Sequence, residues 1–255
     1  MLSFIIVNYN SELPLKRCLQ SISKNVAGFD YEIIVVNNDR KPIWHLEKDF
    51  GIKVIQTEKN IGFGPACNKG ASFSQKKYLF FLNPDTVVNS KNISSIIDLF
   101  EKDVSLGIVG TGLLTEKLEP QQWSAGKETG ILDIVLNNFG LPPSKKIWQS
   151  SSMIVADWVS GASLIVRKQD FLDLNGFDEK FFMYFEDMDL CRRIRLKNKE
   201  VVFFPLFEII HVGGESFSDK KTQKKNYYQS QDYYFQKHLG ILSSLILKLL
   251  RKFHI

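Results

Sequence analysis

The chain has 255 residues, of which 44% are hydrophobic and 24% charged, and a formal net charge of +5. This composition is typical of a packed globular protein and excludes a disordered, collagen-like or disulfide-rich chain. Its three cysteines are scattered, which favours a reducing, cytoplasmic compartment over a disulfide framework or a Cys-x-x-Cys metal site.

Short apolar segments alternate with helical ones in the first half of the chain. We predict strands at residues 2–8, 32–37, 53–57 and 78–82, and a helix at about 14–24. This alternation predicts parallel strands joined by crossover helices, and the consecutive apolar residues predict strands covered on both faces. The first segment lacks the basic flank and cleavage site of a secretory signal, so we interpret it as a strand.

The second half begins with a predicted strand at 107–114 and a long irregular connection at 115–152, which has one helix near 131–138. Ordered structure then resumes in four segments: a strand within 158–168, a short helix and turn at 169–177, a helix at 186–198, and one or two strands at 200–214. No window has the 18 or more apolar residues that a membrane-spanning helix needs.

Polar residues follow three of the predicted strands, at positions 8–10, 37–39 and 83–85. In parallel sheets, ligands bind beyond these strand ends. Asp85 follows a very apolar strand, and its carboxylate could hold Mg²⁺ or Mn²⁺ together with substrate phosphates and water. The alternative is a simple turn, for which Asn-Pro-Asp is well suited, and both interpretations stay open.

A glycine motif at 60–68 follows a strand and leads into a helix, where backbone amides can bind phosphate. The alternative is a loop that merely turns tightly. The first strand–helix turn has no glycine and no P-loop motif occurs, which argues against a dinucleotide-binding dehydrogenase and a P-loop NTPase.

An acidic cluster of Glu186, Asp187 and Asp189 follows an aromatic segment at 177–185. Acidic residues also suit a helix start, which is the structural alternative. Burying carboxylates beside aromatic rings is costly unless they have partners or a task, so we favour function. His211 ends an apolar run and becomes a candidate ligand only if the fold brings it near Asp85.

Together these segments resemble the inverting glycosyltransferases of family 2, on the GT-A fold, and within them the bacterial rhamnosyltransferase-like branch of surface polysaccharide (O-antigen) synthesis. The resemblance covers nearly the whole chain and rests on the order of seven segments: 3–11, 35–38, 60–70, 81–86, 158–168, 175–195 and 211–216.

The resemblance implies an α/β GT-A fold, with a Rossmann-like, mainly parallel sheet flanked by helices in a single domain with a C-terminal helical tail. The glycosyltransferase domain would span 1–218, with a nucleotide-sugar half at about 1–105 and an acceptor and catalytic half at about 106–218. A basic, amphipathic tail would span 219–255.

The resemblance also implies roles for matching residues. Asp187 would be the catalytic base, and Asp85 and His211 would hold a divalent cation, Mg²⁺ or Mn²⁺. Donor-binding residues would be Asn8, Tyr9, Asn10, Asn37, Asn60, Gly62, Phe63, Gly64, Asn68, Asn83 and Asp85. Acceptor-side residues would be Trp158, Gly161, Glu186 and Asp189.

Two positions depart from the family pattern. Asn37 stands where the base-binding residue is usually Asp, and the metal motif Asn83-Pro84-Asp85 has one carboxylate. An Asn can still hydrogen-bond a pyrimidine, and the Asn-Pro-Asp form occurs in the rhamnosyltransferase-like branch, so we interpret both as variation. Nucleotide choice and metal dependence therefore stay open.

The implied reaction moves L-rhamnose from dTDP-rhamnose to a hydroxyl of a saccharide or lipid-linked saccharide. The tail at 219–255 combines basic and apolar residues, which suits an anionic membrane surface and a peripheral position on the inner face of the membrane. The alternative is a helix packed on the domain or on a second copy in a homodimer.

The sequence argues against two other classes of protein. A nucleotide-sugar pyrophosphorylase-like phosphotransfer enzyme needs a glycine-rich, basic loop near the N terminus, which the turn at 8–17 lacks. A non-catalytic sugar or nucleic-acid binder would use the lysine-rich tail, but a zinc motif and an RNA-binding signature are both missing, so no nucleic-acid partner is expected.

Overall fold

The computed structural model describes residues 1–213 and 220–252. Four parallel strands form one half of the central sheet, in the order β3-β2-β1-β4. They are β1 (Leu2–Asn8), β2 (Tyr31–Asn37), β3 (Lys53–Gln56) and β4 (Tyr78–Leu82). The crossovers are α1 (Glu12–Asn25), α2 (His45–Phe50) and α3 (Phe63–Ser72), so the predicted parallel half is confirmed.

The rest of the chain adds seven strands and seven helices within the described residues. The strands are β5 (Thr86–Val88), β6 (Leu106–Leu114), β7 (Ala125–Gly126), β8 (Ile154–Ala156), β9 (Trp158–Val159), β10 (Ser163–Arg167) and β11 (Glu200–His211). The helices are α4 (Ser94–Lys102), α5 (Ile131–Asn138), α6 (Lys145–Trp148), α7 (Lys168–Asp173), α8 (Glu186–Arg195), α9 (Lys220–Leu239) and α10 (Ile241–Lys252).

The second half of the sheet is mixed in direction. Strand β10 lies between β4 and β6 and runs antiparallel to both, whereas β11 runs parallel to β6. Strands β5 and β8 pair with β11 in the antiparallel sense, and β7 and β9 form a separate two-stranded sheet. The carboxyl end of β4 therefore lies beside the start of β10.

Two apolar cores, one on each face, stabilise the sheet. Successive residues of a strand point to opposite faces, so Phe4 and Ile6 of β1 join one core while Ile5 and Val7 join the other. This is why the central strands are apolar at consecutive positions. Helix α1 packs on the first core through buried residues spaced three and four apart: Leu15, Cys18, Leu19 and Ile22.

The connection at 115–152 contains the predicted helix, which is α5, and also the short elements β7 and α6, which were not predicted. The predicted domain boundary at 218/219 and positions 214–216 of the last motif lie outside the described residues. Within 1–213 and 220–252, no helix is both long enough and apolar enough to cross a bilayer.

Candidate functional site

A cavity of about 780 Å³ opens at the carboxyl edge of the parallel strands. It is lined from the end of β1 to the C-terminal helices α9 and α10. Eleven of the predicted site residues line it: Tyr9, Asn60, Gly62, Phe63, Asn83, Asp85, Trp158, Gly161, Glu186, Asp187 and His211. The fold thus brings the end of β4, the start of α8 and the end of β11 to one space.

Asp85 and His211 meet at one corner of this cavity. Strand β11 pairs with β5, which places His211 opposite Thr86, next in the chain after Asp85. The His211 Nε2 atom lies 3.3 Å from Asp85 Oδ1 and 3.3 Å from Asn83 Nδ2. On the other side of the ring, His211 Nδ1 lies 3.0 Å from Gln121 Oε1. A proton on Nδ1, donated to Gln121, leaves the Nε2 lone pair facing Asp85.

This corner fits a divalent cation. A carboxylate and an imidazole nitrogen, with the ring held by an amide oxygen, are suitable donors for Mn²⁺. Within the described residues, no group of three or more His, Cys, Asp or Glu side chains could hold a metal. Two protein ligands are nevertheless sufficient for an ion whose remaining positions go to water and substrate phosphates.

Asp187 lines the same cavity, from the first turn of α8. Its Oδ2 accepts a hydrogen bond from the Gly161 backbone N–H at 2.8 Å, and its Oδ1 accepts one from the Met188 N–H at 2.8 Å. Burial raises the pKa of Asp187, and these N–H groups oppose the rise. The result is a fixed carboxylate with increased basicity.

Glu186 precedes this residue and is only 5% exposed. Its Oε2 atom is buried and has no hydrogen-bond partner among the described residues. Burial, followed by the charge of Asp187, raises the pKa of Glu186 well above its ordinary value. Burial therefore favours the protonated, uncharged form of the Glu186 side chain.

A left-handed turn leads into α8. Tyr184 and Phe185 have φ angles of 70° and 66°, and both side chains line the cavity. A non-glycine residue in this conformation costs about 1–3 kcal/mol and persists only where its surroundings hold it. The strain lies directly before the acidic pair.

The glycine motif docks on the aromatic segment at 177–185. Gly62 has φ +95°, and a Cβ there would lie 2.6 Å from the Phe182 carbonyl oxygen. The next residue, Phe63, donates its N–H to that same carbonyl at 2.8 Å. Gly64 packs against Phe177. These glycines are required for close contact between α3 and the aromatic segment.

The polar residues at the ends of β1 and β2 are divided between the cavity and the interior. Asn37 is fully buried, and its amide bonds the Asn8 side chain, Gln56 and the Lys41 carbonyl. Asn8 and Asn37 lie outside the cavity lining, whereas Asn38 lines it. The predicted role of Asn8 and Asn37 in donor binding stays a prediction. Of the two neighbouring residues Asn37 and Asn38, only Asn38 lines the cavity.

Four further predicted residues also lie outside the cavity lining. Asn10 is exposed, and Gly64 is buried against Phe177. The Asn68 side chain donates to the Phe177 carbonyl at 2.9 Å and accepts from its N–H at 2.8 Å, which joins α3 to the aromatic segment. Asp189 faces α9 instead of the cavity.

Asp189 forms the centre of a buried ionic cluster. Its carboxylate, 0% exposed, lies 2.6 Å from Arg193 Nε, 2.5 Å from Lys237 Nζ and 2.7 Å from His238 Nε2. Burial opposes its ionisation, but the hydrogen bonds and charges of these partners outweigh burial and lower the pKa of Asp189. Asp189 therefore connects α8 to α9.

Several lining residues were missed by sequence reasoning. Asn38 carries a signal, since it follows Asn37 at a strand end. Gln121 lies in the irregular connection and has no local signal. The C-terminal helices contribute Gln223, Tyr227, Tyr228, Gln231, Leu247 and Arg251. In α9, the mixture of polar and aromatic residues does not form the apolar stripe by which a buried helix face is recognised.

Two family models match the chain. Residues 3–157 match glycosyl transferase family 2, and residues 154–213 match a model described as the N-terminal domain of galactosyltransferase. The rhamnosyltransferase WbbL of Escherichia coli K12 is 27% identical over 83% of each chain. The N-acetylglucosaminyl-diphospho-decaprenol L-rhamnosyltransferase of Mycobacterium tuberculosis H37Rv is 23% identical, over 83% of this chain and 76% of that protein.

Solved structures share the fold at 16% identity. GalNAc-T7, crystallised with UDP, GalNAc and Mn²⁺, superposes with a TM-score of 0.67 over 92% of this chain and 49% of its own. Residues 1–349 of S. aureus TarS, with UDP-GlcNAc, superpose with a TM-score of 0.64 over 91% of this chain and 64% of their own.

Proposed function

Because the chain belongs to glycosyl transferase family 2, we propose that it transfers a sugar from a nucleoside-diphosphate donor to a saccharide hydroxyl, with inversion at the donor carbon. The observation that carries this proposal is the shared cavity, which is lined both by the Asp85–His211 corner and by Asp187. A leaving diphosphate needs its negative charge neutralised, and an attacking hydroxyl needs a proton acceptor. This cavity has residues for both roles.

Asp187 accepts the proton of the acceptor hydroxyl in this mechanism. The acceptor oxygen forms a bond to the donor carbon as the bond from that carbon to the diphosphate oxygen breaks, and the diphosphate leaves with the electron pair. The N–H groups of Gly161 and Met188 hold the Asp187 carboxylate in place. A general base so placed contributes about 10²- to 10⁴-fold.

Asp85 and His211 would hold a divalent cation, which supplies charge neutralisation for the leaving diphosphate when bound. Gln121 orients the imidazole and Asn83 contacts it. The Mn²⁺ in the GalNAc-T7 crystal structure supports a divalent cation in this fold.

The names of the relatives support a particular donor and acceptor. Two are rhamnosyltransferases, which supports L-rhamnose from dTDP-rhamnose as the donor. One is named for a diphospho-decaprenol acceptor, which supports a lipid-linked saccharide. An enzyme with that acceptor would work at the inner face of the cell membrane.

Helix α10 supports contact with an anionic lipid surface. Its buried Leu247 lines the cavity, while Leu242 and Leu249 are exposed on the outside, at 70% and 55%. Lys248 and Lys252 add positive charge to the same helix. An apolar face with a basic edge is typical of helices that lie at membrane surfaces.

Vesicle co-sedimentation tests this surface on the full chain. We expect Leu242→Ser/Leu249→Ser to bind phosphatidylglycerol vesicles at least about tenfold more weakly than wild type, because each buried leucine contributes about 1.5–3 kcal/mol. The control is Leu196→Ser, at a site 71% exposed in the loop after α8. Equal binding by all three proteins would exclude the membrane role, and a dimer lost in the double variant would assign the face to a second copy.

A panel of nucleotide sugars with Mg²⁺ or Mn²⁺, with and without lipid-linked saccharide extract, tests the function. We expect acceptor-dependent release of dTDP from dTDP-rhamnose. Consumption of added pyrophosphate, with formation of nucleoside triphosphate and sugar 1-phosphate, would favour the phosphotransfer alternative, and no nucleotide release from any donor would contradict the proposal.

A further inference from the structure

We propose that helix α9 is a positioning element of the active site: one of its faces holds the left-handed turn at Tyr184 and Phe185 and thereby sets the position of Asp187. This inference rests on the proposed function, because it takes Asp187 as the proton acceptor. Helix α9 lies beyond both segments matched by family models, which end at residue 213.

Two hydrogen bonds run from α9 to the turn. The Ser230 hydroxyl donates to the Met183 carbonyl at 2.7 Å, and the Gln223 side-chain amide donates to the Tyr184 hydroxyl at 2.8 Å. Ser230 is buried and outside the cavity lining, so its contact serves the turn and not a ligand.

Aromatic contacts hold the same turn from the side. The Tyr227 ring centroid lies 5.7 Å from that of Tyr184 and 5.3 Å from that of Phe185. The Tyr234 ring lies 5.5 Å from Phe185. Contacts at these distances are attractive and directional, so they resist rotation of both turn residues.

These contacts come from one face of the helix. Gln223, Tyr227, Ser230 and Tyr234 follow one another at steps of four, three and four, which places them on a single stripe. The stripe continues one turn later to Lys237 and His238, which bond Asp189 of α8. Helix α9 therefore contacts the chain on both sides of Asp187, at residues 183–185 before it and at Asp189 after it.

The conformation of the turn argues for a role beyond packing. Two consecutive non-glycine residues in the left-handed region must be held by their surroundings, and such strain concentrates at functional sites. Released from α9, the turn would relax, and the first turn of α8 with Asp187 would shift from its bonds to Gly161. A small displacement of a catalytic group lowers turnover steeply.

Ser230→Ala in the full chain is the main test, with Ser243→Ala as the matched control. The Ser243 hydroxyl donates to the Leu239 carbonyl near the α9–α10 junction, away from the turn. We expect Ser230→Ala to lower kcat about tenfold, with the acceptor KM and the Kd for dTDP with Mn²⁺ unchanged. Ser243→Ala should keep wild-type kcat, and thermal unfolding of both variants measures any general loss of stability.

A double-mutant cycle tests the second bond. Gln223→Ala and Tyr184→Phe should each slow turnover. The double variant should be no slower than the slower single variant, because both substitutions remove the same hydrogen bond. Gln229→Ala, the same change on the exposed face of α9, should turn over like wild type.

The outcomes separate this inference from the proposed function. Wild-type kcat in Ser230→Ala, together with an inactive Asp187→Asn, would overturn the positioning role and leave the base assignment intact. A rise in the dTDP Kd that accounts for the loss of activity in Ser230→Ala would also overturn it. High turnover in Asp187→Asn would remove the base assignment itself.

Discussion

Asp189→Asn should destabilise the protein by disrupting the ionic cluster that joins α8 to α9. The substitution keeps the shape of the side chain but removes its charge. Arg193 and His238 then face a neutral amide at the fully buried position 189, whereas Lys237 is 26% exposed and keeps its ion pair with Asp178 at 2.7 Å. Removing the carboxylate leaves the charge of Arg193 without its ion-pair partner.

The structure sets the size of this effect. Loss of one partner of a buried pair typically costs about 3–5 kcal/mol, and retention of one amide oxygen favours the lower end. At about 2–4 °C per kcal/mol for a domain of this size, the melting temperature should fall by roughly 6–12 °C. The control is Asp98→Asn, an exposed aspartate on α4, which should melt like wild type.

The effect should depend on pH in a defined direction. The folded-state pKa of Asp189 is lowered from its ordinary value of 3.8, so its ionised form stabilises the native state above that value. This stabilisation is lost as the pH falls through the lowered pKa. Urea unfolding should therefore show a constant difference between wild type and Asp189→Asn near neutral pH, and a shrinking one below 3.8. A difference within about 0.5 kcal/mol at pH 7 would refute this reasoning.

The cation corner, the glycine motif and the base each give a further prediction. Asp85→Ala should weaken Mn²⁺-dependent dTDP binding by about 2 kcal/mol in calorimetry, and unchanged binding would exclude a cation at that corner. Gly62→Ala should lower the melting temperature more than Gly28→Ala, since both have positive φ but only Gly62 would bring a Cβ to 2.6 Å from the Phe182 carbonyl oxygen. Equal decreases in melting temperature would show that the close approach of Gly62 to the Phe182 carbonyl does not penalise a Cβ. Turnover should rise with pH through a pKa above 3.8, because burial raises the pKa of Asp187 and the base acts when ionised; an acid limb at or below 3.8 would contradict that assignment.

The alternation of strands and helices could be predicted from the sequence, because apolar runs such as β1 and β4 are recognisable from their pattern, and the resemblance to family 2 then implied the GT-A fold. The positions of the strand ends then predicted Asn83, Asp85 and His211 as candidate site residues. The pairing of β11 with β5 places His211 near Asp85, which is the condition under which His211 becomes a candidate ligand. The antiparallel insertion of β10 was not predicted, since a fully buried strand is apolar in either direction.

Side-chain roles were harder to predict where partners are distant in sequence. Asp189 shares the acidic cluster of Asp187, yet its partners Lys237 and His238 lie about fifty residues later and draw it toward α9. Asn37 is held in the interior by contacts with the Lys41 carbonyl in the following loop and with Gln56 of β3, which a strand-end position does not reveal. Helix α9 uses polar and aromatic contacts, so hydrophobic periodicity gave no indication of its buried face.

The most direct test of the central claim is transfer by Asp187→Asn, measured as acceptor-dependent release of nucleoside diphosphate, with donor binding measured in parallel. If Asp187 deprotonates the acceptor in the cavity that also holds the donor diphosphate, turnover should fall by about 10²- to 10⁴-fold while donor affinity stays near that of wild type. Turnover close to wild type would contradict the account.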